Sequence, residues 1–345
     1  MTEGGAADPG ARRRSSARAA DGAAPASTSG TDADGMAVST RRAPVRDADM
    51  QRLRGNTRSS LRRPRGPAAS GRSFDATLHA LHELATSGAK VSVRVTDLDR
   101  DTVVFSGDEH QLLPVGGIGL VPLLIEVAAA FESGTVDPFE IVERTRVEPV
   151  GIAGVWQHLK APALPLCDLA VLVAATGDAL AANLLLERVG LEAVRRRIES
   201  LGFAHVALLD GFRDTRGPDD APQVALGSAG ELAAVFAALV NSKLVSPAVS
   251  AQVAEWLSLN HDLSLVASVT GLDPFSHDDD RHDLLFINKT GRADGVRAEA
   301  GVLAGPRAGV AYALLVGFDD LSIAHRLRVH EAFRTFGVDL MDHVF

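Results

Sequence analysis

Leu284-Leu285-Phe286-Ile287-Asn288-Lys289-Thr290-Gly291 is an apolar run of strand length that closes on a cation, a hydroxyl and a glycine. Two more such runs follow, Val296 to Leu303 and Val310 to Gly317, with Gly305-Pro306 in the turn between them. Far upstream, Val91-Ser92-Val93-Arg94-Val95 alternates, Asp97 to Asp101 turns, and Thr102-Val103-Val104-Phe105 returns, which is a β-hairpin pattern. Phe74, Leu78, Leu81 and Leu84 share one helical face, and Leu321 to Leu340 reads as a closing helix. Between the two strand groups lie helical stretches: Ile118 to Phe131, Asp168 to Glu187 with Asp168 as N-cap, Leu191 to Leu201, Ser228 to Val240 and Pro247 to Leu259. Pro122 falls in the first turns of its helix, where a missing donor costs least. The order predicts an α/β (α+β) fold: one antiparallel sheet built from both ends of the chain, flanked by helices, beside a mainly helical lobe.

Composition divides the 345 residues near position 72. Through Ser70 there are 13 arginines, no lysine and 7 acids, with almost no large apolar side chains; the remainder carries 22 bases against 37 acids. A segment of that kind cannot bury enough surface to offset its ordering entropy, so residues 1–72 are expected to be a disordered arm and residues 73–345 the folded domain. Runs such as Arg12-Arg13-Arg14 suit an acidic partner, but a solvated tail, or a start at Met36 or Met50, is the favoured reading, and nucleic acid is disfavoured. No apolar segment follows the arginines as a secretory signal requires, and Leu169 to Ala175 is far too short to span a bilayer. The expected location is the cytoplasm, with no membrane association. The single cysteine, Cys167, excludes an internal disulfide.

Three stretches recur in a telling order. Pro114-Val115-Gly116-Gly117-Ile118-Gly119-Leu120-Val121 opens the first core helix, Thr176-Gly177-Asp178-Ala179 precedes Asn183, and Lys289-Thr290-Gly291 ends the strand. With flanks such as Leu123-Leu124-Ile125-Glu126, Val155-Trp156-Gln157-His158 and Gly271-Leu272-Asp273-Pro274, the chain resembles class A β-lactamases and related penicillin-recognising serine hydrolases over about residues 74–340. The resemblance implies a β-lactamase/transpeptidase-like fold and motifs of the form S-x-x-K, S-D-N and K-T-G. Here Gly117 and Leu120 stand where the nucleophilic Ser and its Lys belong, and Gly177 and Ala179 flank the surviving Asp178. Only the third motif is whole.

The family's chemistry gives each loss a meaning. Gly117 has no oxygen to attack with, Leu120 no nitrogen to act as base, and Gly177 no hydroxyl to shuttle a proton. A loop acid activates water in class A enzymes; the corresponding stretch is Leu209 to Asp214, with Arg213 near that place and Asp210 and Asp214 as the acids beside it. The expectation is a pseudoenzyme that retains a carboxylate-binding cleft: Lys289 and Thr290 for the anion, the N–H groups of Gly117 and Arg292 as a vestigial oxyanion hole, Gly291 in the strand, and Asp178 turned inward on backbone. A Lys289 that merely fills a leftover pocket is the equal alternative. The ligand expected is a small carboxylate or a β-lactam-like molecule, with no cofactor, and the protein partner is left open. The alternatives are an active hydrolase with rearranged groups and a partner-binding protein acting through the basic arm. His277 to Asp283 suggests a metal, but a solvated acidic turn is favoured, so no metal is expected. Cys167 reads as a buried or half-buried thiol and His158 as a structural histidine near the cleft. Restoring Ser at 117 and Lys at 120 is expected to leave the fold intact and to return little turnover.

Overall fold

A computed structural model describes residues 74–279 and 283–345. The arm expected over residues 1–72 and the centre of the His277–Asp283 string lie outside the described residues.

Helix α1 (Asp75–Thr86) leads into β1 (Lys90–Asp97) and β2 (Thr102–Gly107). After β3 (Leu113–Pro114) and a 3₁₀ turn (Gly116–Gly119) comes α2 (Leu120–Glu132), buried on nearly every side. Pro122 is its third residue, where no intrahelical donor is missed. The middle of the chain runs β4 (Ile141–Glu143), β5 (Ala163–Pro165), α3 (Leu166–Thr176), α4 (Ala179–Val189), α5 (Leu191–Ser200), β6 (Val206–Leu208), β7 (Ala225–Gly227), α6 (Ala229–Val240) and α7 (Pro247–Leu257). Strands β8 (Asp278–Asp279), β9 (Leu284–Ala293), β10 (Val296–Ala304) and β11 (Gly309–Gly317) precede α8 (Ile323–Val344).

The main sheet has the order β2-β1-β11-β10-β9-β8 and is antiparallel throughout. Strands from the two ends of the chain meet where β1 pairs with β11. Alternation sorts their side chains between two cores. One face sends Phe286, Tyr312 and Leu314 against Phe333, Phe336 and Leu340 of α8 and Leu81 and Leu84 of α1. The other sends Ile287, Leu315 and a row of alanines (Ala298, Ala300, Ala311, Ala313) toward α6 and the helical lobe around α2. The small residues let α6 lie close to the sheet.

The stretch predicted as one helix over Asp168 to Glu187 is two. Gly177, at φ 64°, ends α3 in the left-handed conformation, and Asp178 caps α4 by accepting a bond from the Ala181 amide at 3.0 Å. Asp168 is not the cap of α3, a place held by Pro165; it sits in the first turn, where its charge suits the helix dipole. The short ladders β3-β7-β6 and β4-β5 escaped prediction because two or three residues carry no readable alternation. Among the described residues no helix is long and apolar enough to cross a membrane.

Candidate functional site

A cleft of about 770 Å³ opens between the sheet edge at β9 and the helical lobe. Gly116 and Gly117 line it from the 3₁₀ turn, Thr176 and Gly177 from the α3–α4 junction, Asn260 to Asp262 from the segment after α7, and Lys289, Thr290 and Arg292 from β9. Tertiary structure thus brings the three predicted motifs to one place. The individual residues behave unequally there.

Gly117 lies against β9 so closely that a Cβ would stand 2.9 Å from the carbonyl oxygen of Thr290. Gly291, paired with Ala298 across the ladder, touches the Val115 backbone, and any side chain there would collide with the Val115 carbonyl. Leu120 stands in the place of the motif's Lys. It is fully buried in the lobe core and does not line the cleft. The expectation that Ser at 117 and Lys at 120 fit the fold therefore needs correction: one would press on backbone, the other would bury a charge in hydrocarbon.

Asp178 is 1% exposed and spends both oxygens on backbone. Oδ2 accepts from the amides of Val155 and Trp156, each at 2.8 Å, and Oδ1 accepts from Ala181. One turn on, Asn183 forms a reciprocal pair with Phe212, donating to its carbonyl and accepting from its amide, both at 2.8 Å. That pair fixes the loop in which an acid was sought. Phe212 and Arg213 face the cleft; Asp210 and Asp214 do not, lining a separate hollow behind the loop. Asp214 accepts from the Gly151 amide at 2.9 Å, and Asp210 pairs with Arg216 at 3.0 Å and Arg213 at 3.3 Å. Burial works to raise the Asp210 carboxyl, but bonds from Arg213, Gly211 and Arg216 outweigh it and hold it below the usual range.

Lys289 is 2% exposed. Its ammonium donates to the carbonyls of Val173 (3.1 Å) and Ala174 (2.6 Å) in the last turn of α3 and to Asn260 Oδ1 (3.3 Å). A cation on the orphan carbonyls of a helix C-terminus is a favourable cap, and it uses all three donors of the lysine. Burial pushes Lys289 down to about 7, with Asp262 offsetting part of the loss. Asp262 accepts from Ser264 and, at 3.3 Å, pairs with Arg292, and the nearby Thr290 side chain also favours its charged form. Burial acts to raise Asp262, and these partners bring it below the ordinary value.

The sequence reading missed the residues behind and beside Lys289. Arg297 stands directly opposite Arg292 in the β9–β10 register and also lines the cleft. Its Nη1 donates to the carbonyls of Ala293 and Val296, while its Nε is buried with no hydrogen-bond partner among the described residues. Burial, then the nearness of Arg292 and Arg326, lowers Arg297 from the usual guanidinium value. Like charges facing each other across strands repel, and an anion would relieve them. A second missed group, Asn260, Asn288, Glu299 and Tyr312, forms a buried polar chain. An arginine beyond a Lys-Thr-Gly, or a Glu inside an apolar strand, carries no signal of its own in sequence.

The remaining candidates fall away from the cleft. Cys167 is half-buried at the start of α3; burial, then the Asp168 charge, raises its thiol away from the reactive range. His158 is exposed in a 3₁₀ turn. No group of three potential metal ligands occurs among the described residues.

An antiparallel sheet wrapped by helices, with a Lys-Thr-Gly strand closing a cleft against a helix amino end, defines a protein of the β-lactamase/transpeptidase class. The chain belongs to the beta-lactamase enzyme family (Beta-lactamase2), which it matches over residues 74–344. Among solved structures it is similar to the β-lactamase of Sphaerobacter thermophilus, at 19% identity and a TM-score of 0.67, covering 78% of this chain and 96% of that one. The chromosome-encoded β-lactamase of Vibrio parahaemolyticus gives 16% identity and 0.63, covering 78% and 98%. PBP-A, in an acyl-enzyme complex with penicillin G, gives 15% identity and 0.63, covering 79% and 100%. Likeness at these identities establishes the fold. No curated protein matches the chain.

Proposed function

We propose that this chain is a hydrolytically silent member of its family whose cleft binds a small anionic molecule, a carboxylate or a β-lactam-like ligand. One observation carries the silent half. At residue 117 the nucleophile is missing, and the Thr290 carbonyl 2.9 Å from the Cβ position leaves no room for one. Loss of the nucleophile alone costs on the order of 10⁶ in turnover in serine hydrolases. A rearranged hydrolase would need another hydroxyl in the cleft. Of the two threonines there, Thr176 donates to the Leu172 carbonyl at 2.9 Å, and Thr290 lies toward the Asp262 carboxylate, whose charge it favours.

The binding half rests on Lys289 and Arg297, two cleft cations that form no ion pair among the described residues. Lys289 lends its field, but its donors already serve α3 and Asn260. The contacts an anion would make therefore fall to the amides of Gly117 and Arg292 and to the guanidinium of Arg297. The test has two arms. Intact mass after exposure to benzylpenicillin and a fluorophosphonate is expected to show no adduct, and an adduct would end the silent reading. Calorimetry with benzylpenicillin and small carboxylates is expected to show salt-sensitive binding, weakened at least about tenfold in Arg297→Ala. No binding to the intact protein would end the ligand reading.

A further inference from the structure

Behind the cleft, a line of hydrogen bonds runs from Lys289 through the edge of the sheet to its other face. Lys289 donates to Asn260 Oδ1 at 3.3 Å, Asn260 Nδ2 donates to Asn288 Oδ1 at 3.0 Å, and Asn288 Nδ2 donates to Glu299 Oε1 at 2.9 Å. Tyr312 donates its hydroxyl to the same Glu299 oxygen at 2.8 Å, and the Val266 amide donates to Oε2 at 2.8 Å. Asn288 and Lys289 are neighbours in β9 and point to opposite faces, so Asn260 reaches around the strand to touch both. All five side chains are buried: Lys289 is 2% exposed, Asn260 1%, and Asn288, Glu299 and Tyr312 0%. Gly301 makes the space, since a Cβ there would stand 2.9 Å from the Tyr312 hydroxyl and 3.0 Å from the Asn288 Cβ.

We propose that Glu299, which does not touch the cleft, sets the charge that Lys289 presents to it, acting as a positioning residue through Asn288 and Asn260. The orientation of the two amides is fixed. Asn260 Nδ2 also donates to the Asp262 carbonyl at 3.2 Å, so its oxygen must face the lysine; every donor then points from the cation toward the carboxylate. A neutral amine would bring two hydrogens to three acceptors. A protonated Glu299 would turn a hydroxyl toward Asn288 Nδ2 or the Val266 amide, which only donate, or take the Tyr312 hydroxyl out of its donor role. Neutralising either end weakens the line in a dry site, where mismatched contacts are costly. Charge at each end therefore favours charge at the other.

Other charges surround the pair. Asp262 favours the ammonium and opposes ionisation of Glu299. Arg213, Arg216, His261, Arg292, Asp294 and Arg297 share the cleft with Lys289, and Asp178 at the α3–α4 junction is committed to backbone amides. The far side of Glu299 is aromatic, with Tyr312 packed on Phe286 and Phe336. The inference stands whether or not the cleft takes an anion.

The full chain has only four lysines, and Lys90, Lys160 and Lys243 are exposed, so lysine-labelled protein gives few NMR signals, with Lys289 assigned by its loss in Lys289→Met. The Lys289 titration is expected to move to lower pH by about one pH unit or more in Glu299→Gln, because the line of donors from the ammonium then ends on a neutral amide. If Glu299→Gln does not fold, Tyr312→Phe removes one donor from the carboxylate and is expected to shift Lys289 the same way by less. An unchanged Lys289 midpoint in the folded variant would overturn the proposal.

Discussion

The amino end of α2 and strand β9 form facing walls of one cleft, and their residues are held there in opposite ways. At α2 the reactive positions hold Gly117 and Leu120, a hydrogen against the Thr290 carbonyl and a side chain sunk in the lobe core. At β9 the polar residues remain, but Lys289 caps α3 and Thr290 favours the charge of Asp262. The first wall needs no polar partners, because hydrogen and hydrocarbon are satisfied in a dry interior. The second does need them. Removing Lys289 would strand two helix carbonyls, the Asn260 oxygen and the buried line to Glu299. Persistence of the Lys-Thr-Gly sequence therefore reports structural duty as much as chemistry.

The comparison breaks most visibly if the first wall is given reactive side chains. Gly117→Ser with Leu120→Lys combines a backbone clash with a buried charge, and is expected to lose about 4 kcal/mol or more in denaturant unfolding. A double mutant of native stability would show that the α2 wall yields readily. Asp178→Ala tests a residue that both readings treat as scaffold. It orphans three amides, those of Val155, Trp156 and Ala181, and is expected to cost about 3 kcal/mol. A loss below about 1 kcal/mol would mean that water replaces the carboxylate.

The smallest effect is the pH profile, and it sharpens the contrast. Burial pushes Glu299 up to about 7 in spite of bonds from Asn288, Tyr312 and Val266. The folded state therefore binds a proton more tightly than the unfolded one, and this residue's contribution falls as pH rises from the ordinary 4.5 toward 7. Lys289 is lowered to about 7, so the unfolded state holds the proton more tightly and stability rises from about pH 7 toward 10.5. The opposing slopes predict a shallow minimum near neutrality in urea midpoints, and Glu299→Gln should abolish the acid-side slope. Retention of that slope in the variant would assign it to other groups.

Much of this was legible. The β1–β2 hairpin, the three C-terminal strands and the long final helix follow from local periodicity, and Ser228 caps α6 at the predicted boundary. The three motif stretches named the walls of the cleft before any coordinates. The break between α3 and α4 was missed, although a glycine followed by an N-capping aspartate is its signal. Glu299 was illegible for a different reason. In Val296-Arg297-Ala298-Glu299-Ala300 it alternates as a solvent-facing residue would, and it is buried only because α8 covers that face.

The sequence by itself determined the family, the order of strands and helices and the glycine and leucine at 117 and 120, because these reside in residue identity and short-range period. Tertiary structure alone decided that residue 117 has no room for a side chain, that Lys289 spends its donors on α3, and that a carboxylate ten residues along the chain stands at the end of its hydrogen-bond line. Those facts depend on which backbones approach within a few ångströms, and closeness of that kind is set by the packing of the whole domain.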